Sequence, residues 1–169
     1  MTLRHRLSHV EGRDTGTLEA ILADHPPDGA RLDDLLELVE EAEARVQEGA
    51  TWLLRKYLER GVVLSPAQVR RLGVALDELP EGWARLHLCQ AARFLDVPRE
   101  AASRFAAFYR ACWESPNTFL RAWAPDGFVR LAREHPGWLG EAEALLAEAL
   151  GDPAASVRAR ARRIVGEDA

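Results

Sequence analysis

The sequence predicts an all-α protein built from stacked pairs of helices, and three observations carry the prediction. Apolar residues recur at helical spacing in segment after segment, for example over residues 32–46. No segment alternates apolar and polar residues between hairpin turns, so no strand is predicted. The helix pairs begin near Leu32, Pro66, Arg99 and Trp138, at intervals of 33 to 39 residues. Two-helix units repeated at this spacing are typical of α-solenoids, in which neighbouring units share one core.

Composition and charge narrow the class of protein further. A chain of 169 residues suggests a single domain with a sizeable core. A net charge of -5 gives the whole molecule no electrostatic bias toward nucleic acid. Residues 1–9 contain no apolar run of the secretory kind, and no stretch approaches the roughly 18 apolar residues of a membrane span. With only two cysteines and an arginine-rich composition, we expect a bacterial-type cytoplasmic protein.

The N-terminal part is predicted to be less ordered than the rest. Residues 1–16 are polar and rich in turn formers, so we expect a mobile N-terminal segment, followed by one helical-repeat domain over residues 17–169. A short helix over residues 17–24 should cover the first unit. The first helix pair is then predicted over residues 32–46 and 52–61, with Gly49 interrupting it.

Caps and breakers delimit the middle helices. Ser65-Pro66-Ala67-Gln68 combines a capping box with proline at the first helical position, and Pro80 should end that helix. Apolar stripes predict four further helices, over residues 83–95, 98–112, 115–134 and 139–150.

Pro125 lies inside the third of these four helices, with Gly127 two residues later. A proline in a helix interior removes one hydrogen bond and clashes with the carbonyl four residues back, here that of Arg121. We therefore predict a kink or break between Trp123 and Gly127.

The last helix shows both of its ends in the sequence. Asp152 is a favourable N-cap, and Pro153 suits the first helical position. Residues 157–165 carry an apolar stripe, and Gly166 is a natural stop.

The order Asp152-Pro153 followed by Val157-Arg158 resembles the turn and second helix of a HEAT repeat. The arginines at corresponding places, each after a small or apolar residue, are Arg55, Arg85, Arg121 and Arg158. The resemblance covers roughly residues 32–166. It implies a right-handed superhelix of about four HEAT-like antiparallel helix pairs, with these four arginines aligned along one edge.

The sequence contains no pattern typical of an enzyme or of a metal site. It has no Gly-rich phosphate loop, no Gly-x-Ser-x-Gly elbow and no Cys/His set at metal spacing. His5 and His9 belong to a polar tail, and the acidic run over residues 33–43 is interpreted as a solvated helix face. Cys89 and Cys112 are interpreted as small core residues. We therefore assign no catalytic residue, cofactor or metal.

Tryptophan and arginine supply the candidate binding residues. Five tryptophans are many for this length, and both residue types dominate the energetics of protein interfaces. The candidates, on the predicted second helices, are Trp52, Arg55, Trp83, Arg85, Trp123 and Arg162. The favoured function is a non-enzymatic scaffold that binds a protein or peptide partner on the concave face of the superhelix. A regulatory subunit of a larger complex fits the same pattern.

A nucleic-acid function is the alternative. Some HEAT-like solenoids are DNA glycosylases, which hold damaged DNA in a basic cleft with an aspartate and aromatic side chains. The pair that fits this role is Asp126 and Trp123, and residues 158–163 carry four arginines that form either a solvated face or a phosphate site. The net charge and the lack of a continuous basic stripe favour the protein partner.

Overall fold

Ten α-helices and no strand make up the part of the chain that the computed structural model describes, residues 1–11, 14–80 and 82–167. The helices are α1 (Leu3–Ser8), α2 (Thr15–Asp24), α3 (Gly29–Val39), α4 (Ala44–Glu59), α5 (Pro66–Ala75), α6 (Trp83–Ala91), α7 (Ala102–Glu114), α8 (Thr118–Glu134), α9 (Leu139–Leu150) and α10 (Ala155–Glu167). Short 3₁₀ turns follow α5 and α6 and precede α9. The prediction of an all-α fold is confirmed. None of the described helices is long and apolar enough to cross a membrane.

The helices pack in two rows. Helix α4 packs on α6, α6 on α8, and α8 on α10, while α3 packs on α5 and α5 on α7. The rows join where α3 meets α4, where α7 meets α8, and where α9 meets both α8 and α10. Helices α1 and α2 both pack on α4, at the end of the row. The buried apolar residues lie between the rows, and a smaller cluster lies between α8, α9 and α10.

The first helix pair has different bounds from those predicted. The chain leaves the helical conformation after Val39 and re-enters it at Ala44, so that α4 passes through Gly49 without interruption. A Cβ atom at Gly49 would lie 2.7 Å from the Leu7 side chain of α1. The glycine is therefore needed for the close approach of two helices, and it does not act as a helix breaker.

The N-terminal segment contains helix α1, which packs on α4. Thr2 caps α1, and Leu7 has no exposed surface because it packs against α4. Arg4 pairs with Glu41 at 2.9 Å and holds α1 to the turn before α4. Whether residues 1–16 are mobile stays a prediction, and residues 12 and 13 lie outside the described residues.

Helix α8 is not broken at Pro125. It runs from Thr118 to Glu134 with the proline inside, so the expected break does not occur, and the expected kink stays a prediction. At Gly127, this part of the helix packs closely against α7. A Cβ atom at Gly127 would lie 2.4 Å from Cε1 of Tyr109, so the bare backbone of α8 accepts the buried tyrosine ring of α7.

Three of the four aligned arginines have the same environment. Each donates to a carbonyl five or six residues earlier, in the turn before its own helix: Arg85 to Leu79 at 2.8 Å, Arg121 to Pro116 at 3.0 Å and Arg158 to Asp152 at 2.6 Å. Arg55 does not, because it lies two turns further along its helix. The corresponding place in α4 belongs to Gln47, which donates to the Val39 carbonyl at 3.2 Å.

Asp152 connects two helices and is not an N-cap. Helix α10 begins at Ala155, three residues after it. The carboxylate accepts the Ala154 N–H at 2.8 Å and the Arg121 guanidinium of α8 at 3.3 Å. Burial would raise the pKa of Asp152, but these hydrogen bonds outweigh it and lower the pKa.

The acidic run and the two cysteines make contacts within the folded chain. The acidic run over residues 33–43 pairs with arginines of neighbouring helices, as Glu40 does with Arg71 at 2.6 Å. Cys89 and Cys112 are free thiols without exposed surface, in agreement with their interpretation as core residues. Burial, together with a hydrogen bond between the Cys89 thiol and Cys112, raises the pKa of Cys89 well above its usual value.

Candidate partner-binding face

Side chains of α4, α6, α8 and α10 form one connected surface, which we call the second-helix face. It comprises Trp52 and Arg55 on α4, Trp83, His87 and Gln90 on α6, Arg93 after α6, Phe119, Trp123, Asp126 and Arg130 on α8, and Arg160 and Glu167 on α10. Contacts run along it without a gap from helix to helix. Arg55 bonds Gln90, the Trp83 ring lies 6.3 Å from the Phe119 ring, and the Arg160 guanidinium lies 3.3 Å above the Trp123 ring.

A cavity of about 450 Å³ opens at the α4 end of this face. Its walls are Val10, Thr15, Leu18, Arg45, Glu48, Gly49, Trp52, Arg55, Trp83, Leu86, His87 and Gln90. Helix α2 and the segment before it close one side, and α4 and α6 form the rest. Two tryptophans, a few aliphatic groups and a small set of polar side chains are the usual lining of a ligand pocket of this size.

His87 supplies a neutral polar group to the cavity. Burial and the nearby Arg55 lower the pKa of His87 to about 3, so the imidazole is uncharged at neutral pH. Thr51 donates its hydroxyl proton to the Gln47 carbonyl at 2.9 Å and contacts Nδ1 of His87 at 3.1 Å. A neutral imidazole carries its proton on one ring nitrogen and can accept a hydrogen bond on the other.

The charged groups of the cavity are not paired with one another. Arg55 donates to the side-chain oxygen of Gln90, and its Nε is buried without a hydrogen bond, 3.5 Å from Glu59. Because the Gln90 oxygen is occupied, its amide N–H groups remain as donors. Glu48 has no side-chain hydrogen bond or ion pair among the described residues, and burial raises its pKa. Arg45 is exposed at the same cavity.

Next to the cavity lies an exposed aromatic patch. Phe119, at the start of α8, exposes 57% of its surface and contacts the ring of Trp83. The part of the Phe119 ring that stays exposed to water in the folded chain contributes no burial free energy to folding. Aromatic groups beside a pocket are typical of surfaces that bind a partner.

Further along the face, Asp126 is surrounded by arginines. It is only 2% exposed, and its oxygens lie 3.0 Å from Nε of Arg130, 3.2 Å from Nη2 of Arg160 and 3.4 Å from Nη2 of Arg93. These arginines come from α8, from α10 and from the turn after α6. The buried carboxylate therefore holds three elements together through charge-assisted hydrogen bonds.

The structure brings four of the six predicted binding residues onto the second-helix face. Trp52, Arg55 and Trp83 line the cavity, although Trp52 is only 5% exposed, and Trp123 lies under Arg160. Arg85 is used instead to bond a turn carbonyl. Arg162 is exposed on α10 and makes no hydrogen bond or ion pair with a described residue.

Sequence reasoning missed His87, Gln90 and two of the arginines around Asp126, Arg93 and Arg130. His87 and Gln90 stand four and seven residues after Trp83, and this helical spacing could have placed them on one face with it. Arg130 stands four residues after Asp126 in the same way. Arg93 could not have been found, because only the packing of α6 against α8 brings it to Asp126. The described residues contain no group of three or more His, Cys, Asp or Glu that could hold a metal ion.

Comparisons of this chain with protein-family models, curated proteins and solved structures find no match. The function must therefore be inferred from the residues of the second-helix face.

Proposed function

We propose that this protein is a non-enzymatic interaction scaffold that binds a protein or peptide partner on its second-helix face. The observation that carries the proposal is the cavity of about 450 Å³ with its two tryptophans, directly beside the exposed Phe119. A pocket next to an exposed aromatic group suits a partner that inserts one side chain and packs another against the rim.

The architecture that we propose is a right-handed superhelix of about four HEAT-like antiparallel helix pairs, with the second-helix face on its concave side. The two rows of helices support it, since each second helix packs on the next. The repeated hydrogen bond from Arg85, Arg121 and Arg158 to the preceding turn supports it too. So does the contact of Asp152 with Arg121, which joins consecutive units.

The polar groups of the cavity favour a specific side chain over a purely apolar one. The neutral imidazole of His87 can accept one hydrogen bond, the amide of Gln90 can donate one, and the Glu48 carboxylate has no hydrogen bond or ion pair among the described residues. Groups of this kind in an apolar pocket set the orientation of what binds there, because leaving them unpaired on binding is unfavourable.

A glycosylase function is supported less well. Asp126 and Trp123 do lie together on this face, as the alternative requires. However, the carboxylate is buried and surrounded by three guanidinium groups, and Arg160 covers the Trp123 ring. An aspartate that acts on a flipped base must reach the sugar or an attacking water, and a stacking platform must offer its ring. Neither group is free to do so in this arrangement.

The experiment is capture of partners from the native host by the immobilised protein, followed by affinity measurement with the partner that is found. We expect Phe119→Ser to weaken that affinity about five- to thirtyfold, the usual effect of truncating an aromatic anchor. Phe119 is largely exposed, so the variant should remain folded.

Val74→Ser is the matched control, because Val74 is 56% exposed and lies on α5, in the other row. It should bind as the wild type does. Equal binding by Phe119→Ser, or a loss confined to Val74→Ser, would show that the partner uses another surface.

A further inference from the structure

Counted over the described residues, the arginine cluster around Asp126 carries more positive than negative charge. Arg93, Arg130 and Arg160 converge there on two carboxylates, those of Asp126 and Glu167. Arg163, in the next turn of α10 after Arg160, adds to the excess. Burial lowers the pKa of Arg160, and repulsion from Arg93 and Arg163 lowers it further, while Asp126 offsets part of this effect. The Nε atom of Arg160 is also buried without a hydrogen bond.

The two carboxylates of the cluster have different roles. The Asp126 side chain is 3% exposed and bonds all three arginines, so it belongs to the framework. The Glu167 side chain is 46% exposed and contacts the cluster from outside, 2.9 Å from Nη2 of Arg130 and 3.9 Å from Nη2 of Arg93. Exposed ion pairs of this kind are weak, so Glu167 can leave its place without disturbing the core.

We propose that Arg93 and Arg130 form a receptor for a carboxylate of an acidic segment in the partner, and that Glu167 occupies this receptor until the partner displaces it. The proposal rests on the proposed function and names the chemistry of the partner at this point of the face. Glu167 shows that a carboxylate fits between the two guanidinium groups. Arg130 already uses one nitrogen for Asp126 and offers a second to the outer carboxylate.

An acidic peptide fits the surroundings better than nucleic acid does. The whole protein carries a net charge of -5, so a long polyanion would be repelled outside this cluster. A short acidic segment meets only the local excess of positive charge. The adjacent aromatic groups Trp123 and Phe119 suit a peptide that carries apolar residues next to its acids.

The test uses a fluorescein-labelled hexaglutamate peptide and fluorescence anisotropy at about physiological salt, with wild type, Glu167→Gln and Glu141→Gln. We expect Glu167→Gln to bind the peptide about two- to fivefold more tightly, the range expected when one exposed ion pair stops competing. Glu141→Gln is the matched control. Glu141 lies on α9, its side chain is 40% exposed, and it pairs with Arg110 of α7 at 2.6 Å. The substitution therefore changes the net charge by the same amount at another surface.

A second substitution identifies the receptor. Adding Arg93→Gln to Glu167→Gln should remove the gain in affinity, because the carboxylate then has one guanidinium partner instead of two. Equal gains in Glu167→Gln and Glu141→Gln would mean a general charge effect and would overturn the proposal. Tighter binding of a duplex DNA than of the peptide by Glu167→Gln would also overturn it, in favour of a phosphate site. These results do not depend on capture of the partner through Phe119, so the two proposals can fail separately.

Discussion

The imidazole of His87 is partly buried in the wall of the cavity. It is held by Thr51 from α4, and Arg55 lies near it. A histidine in this setting is a hydrogen-bonding group and does not serve as a proton carrier at neutral pH. The helical stripe that begins at Trp83 predicts that His87 lies among the polar groups of the cavity. Its protonation state depends on burial, which no sequence pattern predicts.

His87 should make the stability of the protein depend on pH. Its pKa is about 3 in the folded protein and roughly 6.5 in the unfolded chain. The unfolded state therefore binds more protons between these values, so the contribution of neutral His87 is complete above about pH 6.5 and falls as the pH drops toward 3. We expect His87→Gln to lose less stability than the wild type between about pH 7 and pH 4.5, as measured by urea unfolding. The same loss in both proteins would contradict this assignment.

At the scale of the elements, close approaches between helices decide features that local rules assign wrongly. The local sequence predicts that Gly49 interrupts a helix and that Pro125 breaks one, yet both residues lie inside continuous helices. Packing against Leu7 requires the absence of a side chain at Gly49, and the buried environment of α8 stabilises the helix through Pro125. Intrinsic propensities are weak compared with such burial.

Gly127→Ala tests the contact between α7 and α8. The added methyl group would overlap the Tyr109 ring, since its position is 2.4 Å from Cε1. Overpacking of this kind typically costs about 1–3 kcal/mol, and we expect a loss in this range or above it in the free energy of unfolding.

The control for this substitution is Gly140→Ala in α9, where an added Cβ meets nothing within 4 Å. Alanine is the better helix former, so this variant should gain roughly 0.4–1 kcal/mol. Both values come from chemical denaturation under the same conditions. A Gly127→Ala protein as stable as the wild type would show that the ring can move away at little cost.

For the whole molecule, the distribution of charge separates the two candidate functions. The acids of α3 and the following turn outnumber their partners Arg4 and Arg71, whereas the excess of arginine among the described residues lies at the α8–α10 end of the second-helix face. This excess is local, and it does not form the continuous basic surface that tracks a nucleic-acid backbone.

We therefore expect no detectable binding of duplex or single-stranded DNA at about physiological salt, as measured by anisotropy. Phosphate contacts release counterions, so any weak binding should appear only near 50 mM salt and vanish by about 200 mM. Micromolar binding at physiological salt that is lost in Arg158→Ala/Arg162→Ala would contradict the scaffold function. Release of bases from alkylated DNA by the wild type, abolished in Asp126→Asn, would replace it with the glycosylase function.

By itself, the sequence determined the helical class, most helix positions and the neighbours on each helix face, because these depend on spacing along the chain. The capping box at Ser65 and the bounds of α9 follow in this way, and so does the polar and aromatic stripe of α6. Local signals of this kind need no knowledge of what packs where.

Tertiary structure alone decided which stripes meet and what charge their groups carry. Asp126 bonds Arg93 and Arg160, which lie 33 and 34 residues away in the chain, and the cavity is lined jointly by residues of α2, α4 and α6. Gln47, and not Arg55, occupies the place of the repeated arginine, because the turn after α3 begins earlier than the apolar pattern indicates. Burial and long-range ion pairs depend on the distance between helices in space, which the order of residues along one helix does not contain.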